Sequence, residues 1–144
     1  MKLVLNNKFM KYFQRLNKFA PLILRFGLAF VFIWFGTNQL QDAARWVSFL
    51  PDWVSALPIS QIHLIYANGI FEIIAAILLL LGVRTNIVAL LLSIHLFIIA
   101  SSIGFSATGV RDMGLAVAAL TLSLLGAGPF SVDSHSHELP IPEK

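Results

Sequence analysis

The 144-residue chain contains no cysteine and few charged residues. Without cysteine it cannot form a disulfide, a thiolate metal site, an iron–sulfur cluster or a dithiol redox centre. Charged residues make up 12% of the chain, about half the share in soluble domains. Hydrophobic residues make up 58%, and the mean hydropathy is +0.82. The composition therefore excludes an ordinary water-soluble domain and predicts a membrane protein without a sulfur relay for electrons.

The first part of the chain also lacks acidic residues. The first acidic residue is Asp42, whereas Lys and Arg already occur at positions 2, 8, 11, 15, 18 and 25. Arg25 interrupts the apolar stretch that follows and no small-residue cleavage site comes after it, which favours an uncleaved anchor over a signal peptide. Residues 1–19 place apolar and basic side chains on separate helical faces. They predict an amphipathic interfacial helix on an anionic membrane surface, the alternative being a basic tail in water.

Four apolar stretches follow, at about residues 20–40, 62–81, 87–103 and 113–127. A membrane span needs about 20 apolar residues, and lipid offers no partner for open backbone groups, so each stretch is predicted to be helical. The sequence therefore predicts an all-α membrane protein with a four-transmembrane-helix bundle over residues 20–127. Prolines, histidines and charges from residue 128 to 144 predict a solvated, poorly ordered cytoplasmic tail.

The distribution of basic residues predicts the orientation of the bundle. Five basic residues precede Arg25 and the first span, and Arg84 lies between the second and third spans, against Arg45 and Arg111 on the other side. Because cationic loops are retained in the cytoplasm, we expect a multi-pass protein of the cell (inner) membrane with both termini cytoplasmic.

The long loop, residues 41–61, separates the first two predicted spans. It places Trp46 and Trp53 on one helical face despite Pro51 between them. Tryptophan favours the headgroup level of a membrane. The loop is therefore predicted either to lie on the outer membrane surface or to pack over the mouth of the bundle.

A few polar residues within the spans are candidate functional residues, because ionisable groups there are costly. Glu72 lies midway along the second span, with Asn68 one turn before it on the same face. Glu72 and His95 are equally distant from the turn between the second and third spans, so they are predicted to lie at the same depth. Arg25 either pairs with Glu72 or extends to lipid headgroups. In the second case Glu72 pairs with His95 or binds a proton, because burial disfavours its charged form.

Three further groups of residues contain side chains suited to a site. Asp112, beside Arg111, is predicted at the start of the fourth span, where a carboxylate complements the helix dipole. His63 and His95 lie at depths about 14 Å apart at 1.5 Å per residue, which disfavours a haem held by both. The sequence predicts no metal site, although metal-compatible side chains occur in the tail at Asp133, His135, His137 and Glu138.

Three segments carry a resemblance to a known family: LRFGLAFVFIWFG, GIFEIIAAILLLLGVRTN and RDMGLAVAALTLSLLGAGPFSVD. In their order and spacing, over about residues 20–133, they resemble the DoxX family. The resemblance implies a four-helix membrane protein, with members associated with thiosulfate:quinone oxidoreductase and with a membrane oxidoreductase complex containing soluble redox enzymes. By position, Arg25, Glu72 and Asp112 match the family's recurrent intramembrane polar residues. Gln39 and Pro129 depart from it, standing where basic residues are frequent.

Three functions are compatible with these features. The first is a membrane subunit linked to a redox complex, binding quinone or docking a soluble oxidoreductase, in which Glu72 and His95 supply protons. The chain itself then needs no cofactor except quinone, and as an enzyme it is at most a non-catalytic or quinone-site subunit. The second is a structural or assembly protein. A small-solute permease is disfavoured, because inverted repeats and broken helices are not evident.

The same hypotheses define the expected partners. These are the lipid bilayer and a soluble redox enzyme or another membrane subunit, with a second copy of the chain as an alternative. No nucleic acid is expected.

The predicted orientation can be tested by single-cysteine labelling, since the chain has no cysteine of its own. We expect cysteines placed at Lys18, at Arg84 and in the tail to react only from the cytoplasmic side. Cysteines at Trp53 and Gly109 should react from outside. Labelling of position 84 from the outside would contradict this orientation and indicate the opposite one.

Overall fold

The computed structural model describes residues 2–136, with side chains from residue 9 to residue 134, and this part of the chain forms helices and no strand. Two short 3₁₀ helices, Ala43–Phe49 and Asp52–Ala56, lie in the long loop. The α-helices are α1 (Lys2–Asn17), α2 (Ala20–Gln41), α3 (Gln61–Leu81), α4 (Thr85–Ile103), α5 (Ala107–Leu125) and α6 (Val132–Ser136).

Helices α2 to α5 are the four in the described chain that are long and apolar enough to cross a membrane. The predicted all-α architecture is therefore confirmed, and the bounds of α2, α3 and α4 lie close to the predicted ones. Helix α5 begins at Ala107, earlier than the predicted start near residue 113. The reason is local: the Ser106 hydroxyl accepts a hydrogen bond from the Gly109 N–H at 3.0 Å and so caps the helix inside a segment whose composition suggested a turn.

Helix α1 leaves an apolar face uncovered by the rest of the described chain. Phe9, Tyr12, Phe13 and Leu16 are all exposed, and the rings of Phe9 and Phe13 pack with centroids 4.8 Å apart. Lys11 and Arg15, the basic side chains described in this helix, lie on the other side. An interfacial helix has this arrangement, with its apolar side chains in the acyl region and its cations at the headgroups.

The bundle consists of two helix pairs, α2 with α3 and α4 with α5, which contact each other less extensively. The first pair packs closely because glycines meet at its crossing: a Cβ at Gly36 would lie 2.7 Å from the Gly69 carbonyl oxygen. In the second pair the Ser93 hydroxyl donates to the Ala116 carbonyl at 2.9 Å. Small residues at such contacts allow the close approach that holds helices together in lipid.

We call the end of the bundle that carries the long loop the loop end, and the opposite end the terminal end. Arg25, which is 1% exposed, lies at the terminal end. Its guanidinium donates four hydrogen bonds of 2.8 to 2.9 Å to main-chain carbonyl oxygens, those of Leu79, Leu80, Ala127 and Phe130.

Arg25 is therefore not paired with Glu72, as one prediction held, and its guanidinium is buried among main-chain carbonyls instead of extending outward, as the other held. The last carbonyl groups of a helix have no partner within the helix, and they carry the negative end of its dipole. The C-terminus of α3 and the segment after α5 offer such carbonyls within reach of the side chain. A guanidinium with several fixed donors fits a set of carbonyls better than it fits one distant carboxylate.

Gly82 makes room for this arrangement. It ends α3 with a φ of 69°, in the left-handed region that glycine adopts without strain. A Cβ at this position would also lie 2.9 Å from the guanidinium carbon of Arg25. The turn between α3 and α4 thus depends on glycine for both its conformation and the space it leaves.

The chain after α5 is ordered as far as it is described, which corrects the prediction of a poorly ordered tail for residues 128–136. The Asp133 carboxylate accepts the N–H groups of Arg84 at 2.8 Å and of Thr85 at 2.9 Å, at the N-terminus of α4. The Asp133 N–H in turn donates to the Gly82 carbonyl at 3.0 Å. Composition indicated solvent exposure, but unpaired N–H groups at the start of a helix bind a carboxylate from a distant segment. Residues 137–144, with His137 and Glu138, lie outside the described residues.

The pKa of Asp133 reflects this role. Burial opposes ionisation and would raise the pKa, but the hydrogen bonds from Thr85 and Arg84 and the charge of Arg25 outweigh it and lower the pKa below its ordinary value. A carboxylate whose pKa is lower in the folded state stabilises the fold above the pKa of the unfolded state. That contribution is lost as the pH falls through the folded pKa.

We therefore expect Asp133→Ala to lower the free energy of unfolding at neutral pH by about 1 kcal/mol, the usual effect of losing an N-terminal helix cap. The difference from wild type should shrink as the pH falls below about 4, the ordinary pKa of an aspartate. It should disappear below the lowered pKa of the folded state, where the carboxylate binds a proton in both states. Thermal unfolding in nanodiscs at the two pH values measures this. Asp52→Ala, which removes an exposed carboxylate in the long loop, should have no such effect, and a pH-independent cost for Asp133→Ala would contradict the interpretation.

A polar cavity at the loop end

A cavity of about 410 Å³ occupies the loop end of the bundle. All four membrane helices line it with residues from their halves nearest the loop, and the long loop covers it with apolar side chains. Ligand sites in proteins have volumes of about 300 to 1,000 Å³ and mostly apolar walls with a few polar groups. The cavity therefore has the size and lining of a small-molecule site. The side chains that cover it from the loop include Trp46, Phe49, Leu50, Pro51, Trp53 and Leu57.

The loop thus packs over the mouth of the bundle, one of its two predicted positions. The indole of Trp46 meets the ring of Phe35 on α2 edge-on, with centroids 5.6 Å apart, and contacts Phe49 on its other side. The chain has three tryptophans, and Trp34, Trp46 and Trp53 all line the cavity. Because aromatic rings bury large areas, these contacts hold the loop against the bundle beside the cavity.

Glu72 lies at the inner part of the cavity, held by two amide side chains. The Gln39 Nε2 donates to one carboxylate oxygen at 3.0 Å, and the Asn68 Nδ2 donates to the other, also at 3.0 Å. Asn68 also donates to the Gln39 carbonyl oxygen at 2.8 Å. The three side chains form a closed network between α2 and α3 in which Glu72 accepts throughout. An acceptor-only role suits an ionised carboxylate.

His95 completes this group from the opposite helix pair. Its Nε2 lies 3.3 Å from Glu72 Oε1, and its ring meets the Phe71 ring at a centroid distance of 5.3 Å. The predicted equal depth of Glu72 and His95 is thereby confirmed. The carboxylate is 4% exposed and the imidazole 22%. A molecule in the cavity consequently meets the imidazole more readily than the carboxylate behind it.

A second polar group lies where α2 meets α5. Arg111 donates from Nε and from Nη2 to Asp112 Oδ1, both at 2.8 Å. The guanidinium carbon of Arg111 lies 4.7 Å from the centroid of the Phe35 ring, a cation–π contact. Asp112 was predicted at the start of its helix, but α5 begins at Ala107, so the ion pair lies on the wall of the cavity instead of at a helix terminus.

The structure divides the predicted site residues between the two ends of the bundle. Glu72, His95, Asn68 and Asp112 all line the cavity at the loop end, whereas Arg25 lies at the terminal end and does not.

Two residues of the cavity were not assigned a role from the sequence. Gln39 was noted only for its departure from the family pattern, and Arg111 only as a basic loop residue beside Asp112. A polar side chain near the end of an apolar span was the available signal for Gln39. Its partners could not be read from the chain, because they lie on another helix.

Comparison with known proteins agrees with this architecture. The DoxX family model matches residues 20–109. This range contains α2, the long loop, α3, α4 and the start of α5. Searches of curated proteins and of solved structures gave no match. Since the family model covers more than half of the chain, this four-helix membrane protein belongs to the DoxX family.

Proposed function

We propose that this DoxX-family protein is a quinone-binding membrane subunit of a redox complex, in which Glu72 and His95 exchange protons with the bound quinone. One observation carries the proposal. A buried carboxylate in hydrogen-bond contact with an imidazole lies in the wall of a mostly apolar, aromatic-lined cavity within the membrane bundle. Family membership alone does not define a function, whereas this site supplies acid–base groups to a ligand in the cavity.

The cavity fits a quinone head in size and in chemistry. Its volume of about 410 Å³ accommodates one substituted ring and the start of an isoprenoid chain. Leucine, isoleucine and aromatic side chains form most of its walls, which suits a ligand that partitions into lipid. A quinone, when bound, takes up two electrons and two protons on its ring oxygens. The protein must therefore offer it hydrogen-bond donors and a source of protons.

Glu72 and His95 can provide that source. The Nε2 of His95 is directed at Glu72, and among the described residues its Nδ1 has no hydrogen-bond partner. Nδ1 is thus the ring nitrogen left for a ligand. A carboxylate behind an imidazole fixes its tautomer and stabilises its protonated form, as in other acid–base pairs. Gln39 and Asn68 hold the carboxylate in place, so the pair is preorganised.

Electrons must come from elsewhere in the proposed complex. The chain has no cysteine, and only His95 of the two histidines within the spans lines the cavity. A soluble oxidoreductase or a second membrane subunit would therefore carry the redox centre and bind against the loop end or the terminal end of this protein.

A structural or assembly function is the alternative, and the Gln39–Asn68–Glu72 network favours it. The network joins α2 to α3 by hydrogen bonds alone, which is a known way of fixing helix order in membranes. It does not account for the cavity or for His95, which reaches Glu72 from the other helix pair.

Quinone binding is tested directly with the full chain purified into nanodiscs of native lipid. Extraction should recover bound quinone, and decylubiquinone should quench the tryptophan fluorescence saturably, because all three tryptophans line the cavity. Absence of both signals in the folded protein would exclude the quinone function and favour the assembly function.

To test the proton role, we expect the Glu72→Gln variant to retain the fold and quinone binding. Quinone-linked turnover of the complex in native membranes should fall by about 100-fold or more, the usual effect of losing an acid–base group. The amide keeps the shape of the side chain and removes its titration. His95→Phe should be similarly inactive, and His63→Phe, outside the cavity lining, should be fully active. Normal turnover of folded Glu72→Gln would make Glu72 a packing residue.

A further inference from the structure

The cavity has two polar sites, and the order of the helices places them on facing walls. The first site, Glu72 with His95, lies where α3 meets α4. The second, Arg111 with Asp112, lies where α5 meets α2 through Phe35. Each helix contacts its two neighbours in the order α2, α3, α4, α5 around the bundle axis. The contact between α3 and α4 is therefore opposite the contact between α5 and α2.

The ion pair with Asp112 leaves some hydrogen-bond donors of Arg111 unused. Both of its bonds to Asp112 go to the same oxygen, from Nε and from Nη2. Among the described residues Nη1 has no hydrogen-bond partner. The Arg111 side chain is 46% exposed, whereas Asp112 is 7% exposed. The guanidinium thus keeps free donors at the cavity wall, while the carboxylate that balances its charge is buried behind it.

The position of this guanidinium is fixed by more than the ion pair. It stacks over Phe35 at 4.7 Å, and Phe35 is itself held edge-on by Trp46 from the long loop. An arginine restrained on an aromatic face loses little conformational freedom when it binds a ligand oxygen. The arrangement is preorganised for one further acceptor.

On the basis of the proposed quinone function, we infer that Arg111 binds the second oxygen of the ligand head. This role restricts the ligand to flat rings with oxygen acceptors on opposite sides, as in a 1,4-quinone. One oxygen would bind His95 and the other would bind Arg111. A ligand head with a single oxygen would form a hydrogen bond with only one of these two residues. Arg111 is accordingly a specificity-determining residue, and Asp112 a positioning residue behind it.

The test compares two probes with the same decyl chain, decylubiquinone and 4-decylphenol, on the full-length protein in nanodiscs. The variant is Arg111→Gln combined with Asp112→Asn, which leaves no unpaired buried carboxylate. Quinone affinity is measured by tryptophan quenching, and phenol affinity by displacement of the quinone. We expect the quinone to bind about tenfold or more weakly, as for loss of a hydrogen bond to a charged group. The phenol should bind with unchanged affinity.

The matched control is Arg45→Gln combined with Asp42→Asn. It removes an ion pair of the same length, 2.8 Å, from the loop end at residues that do not line the cavity, and both affinities should be unchanged. Equal weakening of the two probes by the Arg111 variant, or unchanged quinone affinity, would overturn the role of Arg111 while quinone binding by wild type still stands. Failure of wild type to bind decylubiquinone would overturn the proposed function itself, and this inference with it.

Discussion

The bundle depends on how the unpaired carbonyl groups at its helix ends are satisfied in a solvent that offers no hydrogen bonds. At the terminal end Arg25 satisfies such groups by donating to carbonyls in the last turn of α3 and in the segment after α5. An unsatisfied group there would cost several kcal/mol. The side chain therefore fixes α2, α3 and the segment after α5 relative to one another. Gly82 and Asp133 take their conformations around it, so that one buried cation organises the whole terminal end.

The hydrogen bonds of Arg25 at the terminal end determine which partners remain for Glu72 at the loop end. Because Arg25 is bound to carbonyls, its charge is not available to Glu72, and the carboxylate is held by the neutral amides of Gln39 and Asn68 and by the imidazole of His95. The two ends of the bundle thus differ in their polar contacts: a buried cation bonded to main-chain carbonyls at the terminal end, and a carboxylate bonded to neutral amides and an imidazole at the loop end.

The division into two helix pairs explains where the cavity forms. Glycine contacts draw α2 and α3 together, and small residues and Ser93 join α4 to α5, but the pairs contact each other less closely. Space remains between them at the loop end, and the aromatic side chains of the long loop cover it. Both polar sites of the cavity join the two pairs, one through His95 and Glu72 and the other through Arg111 and Phe35. A ligand that bridges these sites would also bridge the helix pairs.

The sequence by itself determined the properties that depend on position along one helix. Composition indicated the membrane, hydropathy indicated four spans, and equal distance from a turn placed Glu72 level with His95, because helix rise per residue is constant. It did not determine the partners of Arg25, the order after residue 128, or the parts played by Gln39 and Arg111. Those depend on the rotation of each helix and on which helices become neighbours. Contacts between residues far apart in the chain set both, and so only the tertiary structure decided them.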